Sequence, residues 1–213
     1  MRNNYENDLL KLNSNIICMA ELIKNSLEEV FNVLFNFDKT NIKKIISDDD
    51  LIDAKEKEIE QLCLQLLLQQ QPLASDLRTI TSALKMVTDL ERIGDHASDI
   101  SDFCLQIENS LSTKIPELKT MSVEIKKMVT NSIESFVSRN LSMAKDCIVN
   151  DDIVDALYHK IKKLIVTLIQ ENKTDGEQIA DYLLIAKYFE RIADHATNIA
   201  QWTIFAITGE LEN

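Results

Sequence analysis

The sequence predicts an all-α protein built as two tandem three-helix bundles related by internal duplication. Three observations carry this. The 213 residues include three Gly and two Pro, 45% are apolar, and three-four apolar spacing runs nearly throughout. The string Glu91-Arg92-Ile93-Gly94-Asp95-His96-Ala97 returns 99 residues later as Glu190-Arg191-Ile192-Ala193-Asp194-His195-Ala196, with six of seven positions identical. An acidic pair, Asp49 and Asp53, returns 102 positions later as Asp151 and Asp155. A repeat of this length determines architecture before any single helix does. The first bundle is expected over residues 1–112 and the second over 113–213.

The first helix shows one seam: Leu9, Leu12, Ile16, Met19, Ile23, Leu27, Val30, Leu34 and Phe37 follow steps of three or four. The pattern weakens at Asp38-Lys39-Thr40-Asn41, with a short continuation through Ile45 and Ile46. Ser47 or Asp48 offers a side-chain oxygen to cap a second helix, expected from about Asp49 to Gln70. Pro72 breaks it and opens the third helix, which carries the first charged string and fades near Asn109. Residues 110–116 read as the linker. A fourth helix follows Pro116 through Leu118, Met121, Ile125, Met128 and Phe136, the Met and Phe residues serving as core. The fifth is expected after Asn150, through Ile153, Leu157, Ile161, Leu164 and Leu168. A turn at residues 172–176 precedes the sixth, which holds the second string and ends near Gly209, a left-handed C-cap.

Charge and composition narrow the function. A net charge of -12 argues against nucleic acid, which needs a basic stripe, and suits cations. No apolar run reaches the ~18–20 residues that span a bilayer, so membrane insertion is not expected, and the first residues do not read as a signal peptide. A cytoplasmic location is expected. Cys18, Cys63, Cys104 and Cys147 are dispersed without any CxxC and read as reduced core thiols.

The candidate site consists of carboxylates. On a helix, i and i+4 share a face, so Glu91 stands beside Asp95 and Glu190 beside Asp194. Each like-charge pair costs roughly 0.2–0.5 kcal/mol, and either solvent or a cation must answer for it. In an antiparallel hairpin turning near residue 73, levels match where positions sum to about 146, so Asp53 faces residue 93 and Asp49 residue 97, bracketing Asp95. In the second half the sum is about 348, so Asp155 faces residue 193 and Asp151 residue 197, bracketing Asp194. Four acids at one level are hard ligands, suited to Mg, Mn, Ca or Fe rather than a thiolate-preferring ion. The competing reading is an acidic solvated face. His96 and His195 point about 100° away, so a packing or ligand-orienting role fits them better than ligation. Arg92 and Arg191 point off the acid face toward an inter-helix ion pair, and His159 reads as a lone exposed histidine.

These residues carry a resemblance to the PhoU family, the accessory and regulatory proteins of bacterial high-affinity phosphate transport. It covers nearly the whole chain: Asp48-Asp49-Asp50-Leu51-Ile52-Asp53, Gln71-Pro72-Leu73-Ala74-Ser75-Asp76-Leu77-Arg78, both charged strings, and Asn198-Ile199-Ala200-Gln201-Trp202-Thr203-Ile204-Phe205. The resemblance implies two similar three-helix bundles and a non-enzymatic negative regulator of phosphate uptake and starvation signalling. It implies contacts with the transporter's ATPase subunit and a membrane sensor histidine kinase, which would hold the protein at the inner membrane through its partners. A homodimer is expected. It also implies metal ions (iron, zinc, manganese or magnesium) at Asp49, Asp53, Glu91 and Asp95, and at Asp151, Asp155, Glu190 and Asp194. Gln201 stands where the family usually has Glu, and Asn198 where the first half has Asp99, so the first site is expected to be the more acidic.

Other classes fit less well. A carboxylate-bridged di-iron oxidase needs Glu-x-x-His, but the residues three before His96, His159 and His195 are Ile93, Ala156 and Ile192. A histidine phosphotransfer module would place phosphate beside the acids that flank His96 and His195. An accessory protein of another anion transporter shares every feature above, and genomic neighbours would separate it.

Overall fold

A computed structural model describes residues 2–36, 38–69, 73–107, 115–171 and 176–210. Six helices account for almost all of them: α1 (Arg2–Asn36), α2 (Ile42–Gln69), α3 (Ala74–Gln106), α4 (Pro116–Val137), α5 (Leu141–Gln170) and α6 (Gly176–Thr208), with a 3-10 turn at Lys39–Asn41. There is no strand among the described residues. The boundary expected between residues 112 and 113 lies outside them, as do Phe37, Pro72 and most of the turn at 172–176.

The seam of α1 is buried from Leu12 through Leu34, at three-four steps that bring one face onto α2 and α3. Its buried positions recur in α4 at an offset of 102: Met19 and Met121, Ile23 and Ile125, Leu27 and Val129, Leu34 and Phe136. The same offset links α2 to α5 through Ile52 and Val154, then Ile59 and Ile161. Helices α3 and α6 match at 99: Ile80 and Ile179, Met86 and Ile185, Leu90 and Phe189, Ile93 and Ile192. Each repeat is therefore a bundle of three helices built on one apolar pattern.

The two bundles share a core. The most extensive helix contact in the molecule is α3 against α6, across the repeats, and α1 also meets α4. Asp89 reaches His195 and Asn198 while Phe103 meets Tyr188, so α3 and α6 run antiparallel. At the rim of this junction Phe31 of α1 packs edge-on against Phe189 of α6, ring centroids 5.4 Å apart.

Two helix starts differ from the sequence reading. α2 begins at Ile42, not near Asp49: Ile42 and Ile45 are buried and extend its apolar face, while Asp38 caps the 3-10 turn by accepting from Thr40 N–H. Ser47, expected as a cap, lies inside the helix and donates to the Lys44 carbonyl at 2.9 Å. α5 begins at Leu141, not after Asn150. Arg139 takes a left-handed φ of 52°, and Asn140 caps the helix by accepting from Met143 N–H at 3.1 Å. Buried Ala144 and Cys147 continue the α5 seam. Both acid pairs thus sit well inside their helices, where no cap or exposed helix end answers for them.

The end of α6 follows the sequence reading. Gly209 adopts φ 83°, and its N–H bonds to the Phe205 carbonyl at 2.8 Å. Cys63, Cys104 and Cys147 are buried, and burial pushes their thiols up to about 12. Cys18 corrects the expectation of a core thiol, for it is exposed on the outer face of α1.

Candidate metal centre

The α2–α3 hairpin brings the predicted acids of the first repeat together. One carboxylate oxygen each from Asp53, Glu91 and Asp95 lies within 4.8 Å of the others. The level rule placed Asp53 opposite residue 93, and it falls between the two acids that flank that position. Asp49, one turn back on α2, is close enough to Asp95 for that charge to act on it. Its Oδ1 is buried without a hydrogen-bond partner, and so is Oε2 of Glu91.

Gly94 makes the close approach possible. A Cβ there would stand 3.0 Å from Ile52 Cδ1 and 3.6 Å from Asp49 Oδ1. The second repeat has Ala193 at this position, with the smaller Val154 in place of Ile52.

Electrostatics record the crowding. Burial, then the charges of Asp95 and Asp53, raise the Asp49 carboxyl to about 6. Burial, then Asp95, raise Glu91 to about 7 against the opposing pull of Arg92. A carboxylate desolvated among like charges is held in a high-energy ionised form, and a cation supplied from outside relieves it. Arg92 relieves part of it. Contrary to the expected inter-helix pair, it folds back along α3 and donates to Asp95 Oδ2 at 2.7 Å, with Nε 3.4 Å from Glu91 Oε2 but no hydrogen bond formed there. Lys57 lies farther out, 3.9 Å from Asp53.

In the second repeat the same residue types meet differently. Burial, then Asp194 and Asp155, raise Asp151 to about 6, so the four acids do share a region. Burial and Glu190 raise Asp194, while Lys187 opposes them. Yet Asp155 and Asp194 are exposed, and the oxygens of this set do not gather as those of Asp53, Glu91 and Asp95 do. Lys187 forms an ion pair with Glu190 Oε2 and lies 5.4 Å above the Tyr158 ring. Arg191 turns along its own helix to the Tyr188 ring rather than across to another.

The histidines serve the junction between repeats. His96 is buried against Tyr188 and His195, ring centroids 5.2 and 5.4 Å away, and both its nitrogens lack a hydrogen bond. Burial, then Arg191 and His195, push it down to about 4, so it is neutral at pH 7. His195 Nδ1–H donates to Asp89 at 2.8 Å, and Asn198 donates to the same oxygen at 3.1 Å. His159, exposed on α5, bonds its own helix carbonyl at Asp155. Asp89, Tyr158 and Lys187 passed unnoticed in the sequence. Lys187 carried a signal, standing three residues before Glu190 where the first repeat has Thr88.

A cleft of about 460 Å³ between α1 and α4 lies apart from these acids, and its Lys126 and Glu28 pair with each other at 2.5 Å. No described helix is long and apolar enough to cross a membrane.

Comparison with known proteins finds matches over nearly the whole chain. The family model described as PhoU domain matches residues 16–104 and 118–203. A phosphate-specific transport system accessory protein PhoU homolog of Clostridium acetobutylicum is 36% identical over 97% of this chain and 95% of its own length. A homolog of Thermotoga maritima is 32% identical over 97% and 90%. The crystal structure of PhoU from Pseudomonas aeruginosa superimposes with a TM-score of 0.92 at 29% identity, covering 97% of this chain and all of that one. The phosphate transport system regulatory protein PhoU from Streptococcus pneumoniae gives 0.91 at 28%, covering 98% and 99%.

Proposed function

This chain belongs to the PhoU family, and from that premise we propose that it is a metal-binding, non-enzymatic regulator of phosphate uptake and phosphate-starvation signalling. It acts in the cytoplasm as a homodimer, on the ATPase subunit of a phosphate ABC transporter and on a membrane sensor histidine kinase. The observation that carries the reading is full-length correspondence with relatives described as accessory or regulatory proteins of phosphate transport, at 95% and 99% of their own lengths.

The metal part of the proposal is supported at Asp49, Asp53, Glu91 and Asp95. Their donors are all carboxylate oxygens, two of them buried without a hydrogen bond, which fits Mg, Mn or Fe better than Zn. A bound ion would supply positive charge to four crowded acids and bind α2 to α3. Asp151, Asp155, Glu190 and Asp194 are the counterpart acids of the second repeat, where the sequence reading expected a second site.

Gene deletion tests the regulatory reading. In a strain without another PhoU gene, starvation genes should stay on in ample phosphate, and the wild-type chain should restore repression. Normal repression in the deletion strain would contradict it.

A further inference from the structure

We propose that the second repeat carries its cation within its own chain: the Lys187 ammonium occupies the place at Glu190 and Asp194 that a metal takes at Glu91 and Asp95. Metal therefore loads the first repeat and is excluded from the second. This rests on the reading of the first repeat's acids as a metal site.

Three observations converge on Lys187. It pairs with Glu190, the counterpart of Glu91, whose Oε2 is buried without a hydrogen bond. Its charge acts on Asp194, the second acid of the pair. The Tyr158 ring face lies 5.4 Å beneath the ammonium and holds it by cation–π attraction. The first repeat has neither the lysine nor the ring: Thr88 replaces Lys187 and Glu56 replaces Tyr158. The exchange is paired: one repeat has lysine on tyrosine, the other threonine opposite a further acid.

Chemistry separates Lys187 from Arg92. A lysine ammonium is a compact point charge, whereas a guanidinium spreads its charge over a plane and hydrogen-bonds as a fork. Arg92 binds Asp95 and leaves Glu91 Oε2 unbonded and the three oxygens gathered. Lys187 engages Glu190 itself, and the second set of oxygens is not gathered. An ion entering there must displace Lys187 or bind beside a like charge, and repulsion at such short range weakens a divalent ion by about tenfold or more even at the dielectric of water.

Mn titration by calorimetry, with the melting temperature as second readout, tests this on four proteins. They are wild type, Glu91→Gln/Asp95→Asn, Lys187→Thr, and the triple combination. Wild type should bind Mn, and the double variant should lose that binding and its thermal shift. Lys187→Thr should show an added class of sites, retained in the triple variant. The reciprocal Thr88→Lys, at an exposed position, should weaken first-repeat binding by about tenfold. If wild type binds no Mn, the metal reading fails and this inference falls with it. If the double variant keeps half the Mn, or the triple binds no more than the double, metal binding stands and the role of Lys187 is overturned.

Discussion

Two repeats built on one apolar pattern carry the same acids and treat them differently. In the first, Asp53, Glu91 and Asp95 converge over Gly94, and two carboxylate oxygens are buried without a hydrogen bond. In the second, Ala193 and Val154 stand buried at the corresponding positions, Asp155 and Asp194 face solvent, and Lys187 sits on Glu190. Duplication preserves the scaffold because core positions are constrained by packing on every side. The acids lie on the outer face, where a single exchange such as Thr88 for Lys187 alters charge without disturbing the core. The same asymmetry marks the junction: Asp89 accepts from His195 and Asn198, while its counterpart Tyr188 packs on His96.

The largest expected effect concerns the core the repeats share. Phe189→Ala removes a fully buried ring that meets Phe31 across the junction, and should cost about 3–5 kcal/mol in urea unfolding. A loss below ~1 kcal/mol would mean that the repeats are stabilised separately. Next is Asp89→Ala, which leaves His195 and Asn198 without their acceptor and should cost about 1–3 kcal/mol. Tyr188→Phe keeps the ring against His96 and should cost less, so equal losses would contradict the asymmetry of the junction.

Proton linkage sharpens the comparison of the acid sites. Asp49 rises from 3.8 to about 6 and Glu91 from 4.5 to about 7 on folding. The folded state therefore holds protons that the unfolded chain releases, so the contribution of these two groups to metal-free stability is full below about pH 4 and is lost as pH rises from there through 6 to 7. Glu91→Gln should flatten that fall, and added Mn should oppose it. A metal-free stability that climbs over this range would contradict the crowding.

The smallest effect is Gly94→Ala. A helix gains up to about 1 kcal/mol from this exchange, but the new methyl stands 3.0 Å from Ile52 Cδ1, so the single variant should be near neutral or slightly destabilised. Combined with Ile52→Val, which copies the second repeat, the gain should reappear in the melting temperature. A clear gain from Gly94→Ala alone would show that Ile52 moves freely.

Much of this was legible in the sequence. The repeated charged string and the apolar steps specified six helices, the α2–α3 and α5–α6 hairpins and the level at which Asp53 meets Glu91 and Asp95. Helix starts were less legible because Ser47 and Asp48 have the chemistry of caps, and only tertiary burial of Ile42 and Ile45 shows that the helix has already begun. The packing of α3 on α6 was hidden because a periodic stripe reports that a face is buried, not what covers it. Arg92 and Lys187 have long side chains that can fold back along their own helix, and spacing alone does not say which acid they choose.

An anomalous difference map from crystals grown with Mn tests the central claim, that the repeats differ in metal binding, most directly. The expected result is a peak bounded by Asp53, Glu91 and Asp95, with none beside Glu190 and Asp194, where Lys187 stays in place. Equal peaks in both repeats, or a peak in neither, would contradict it.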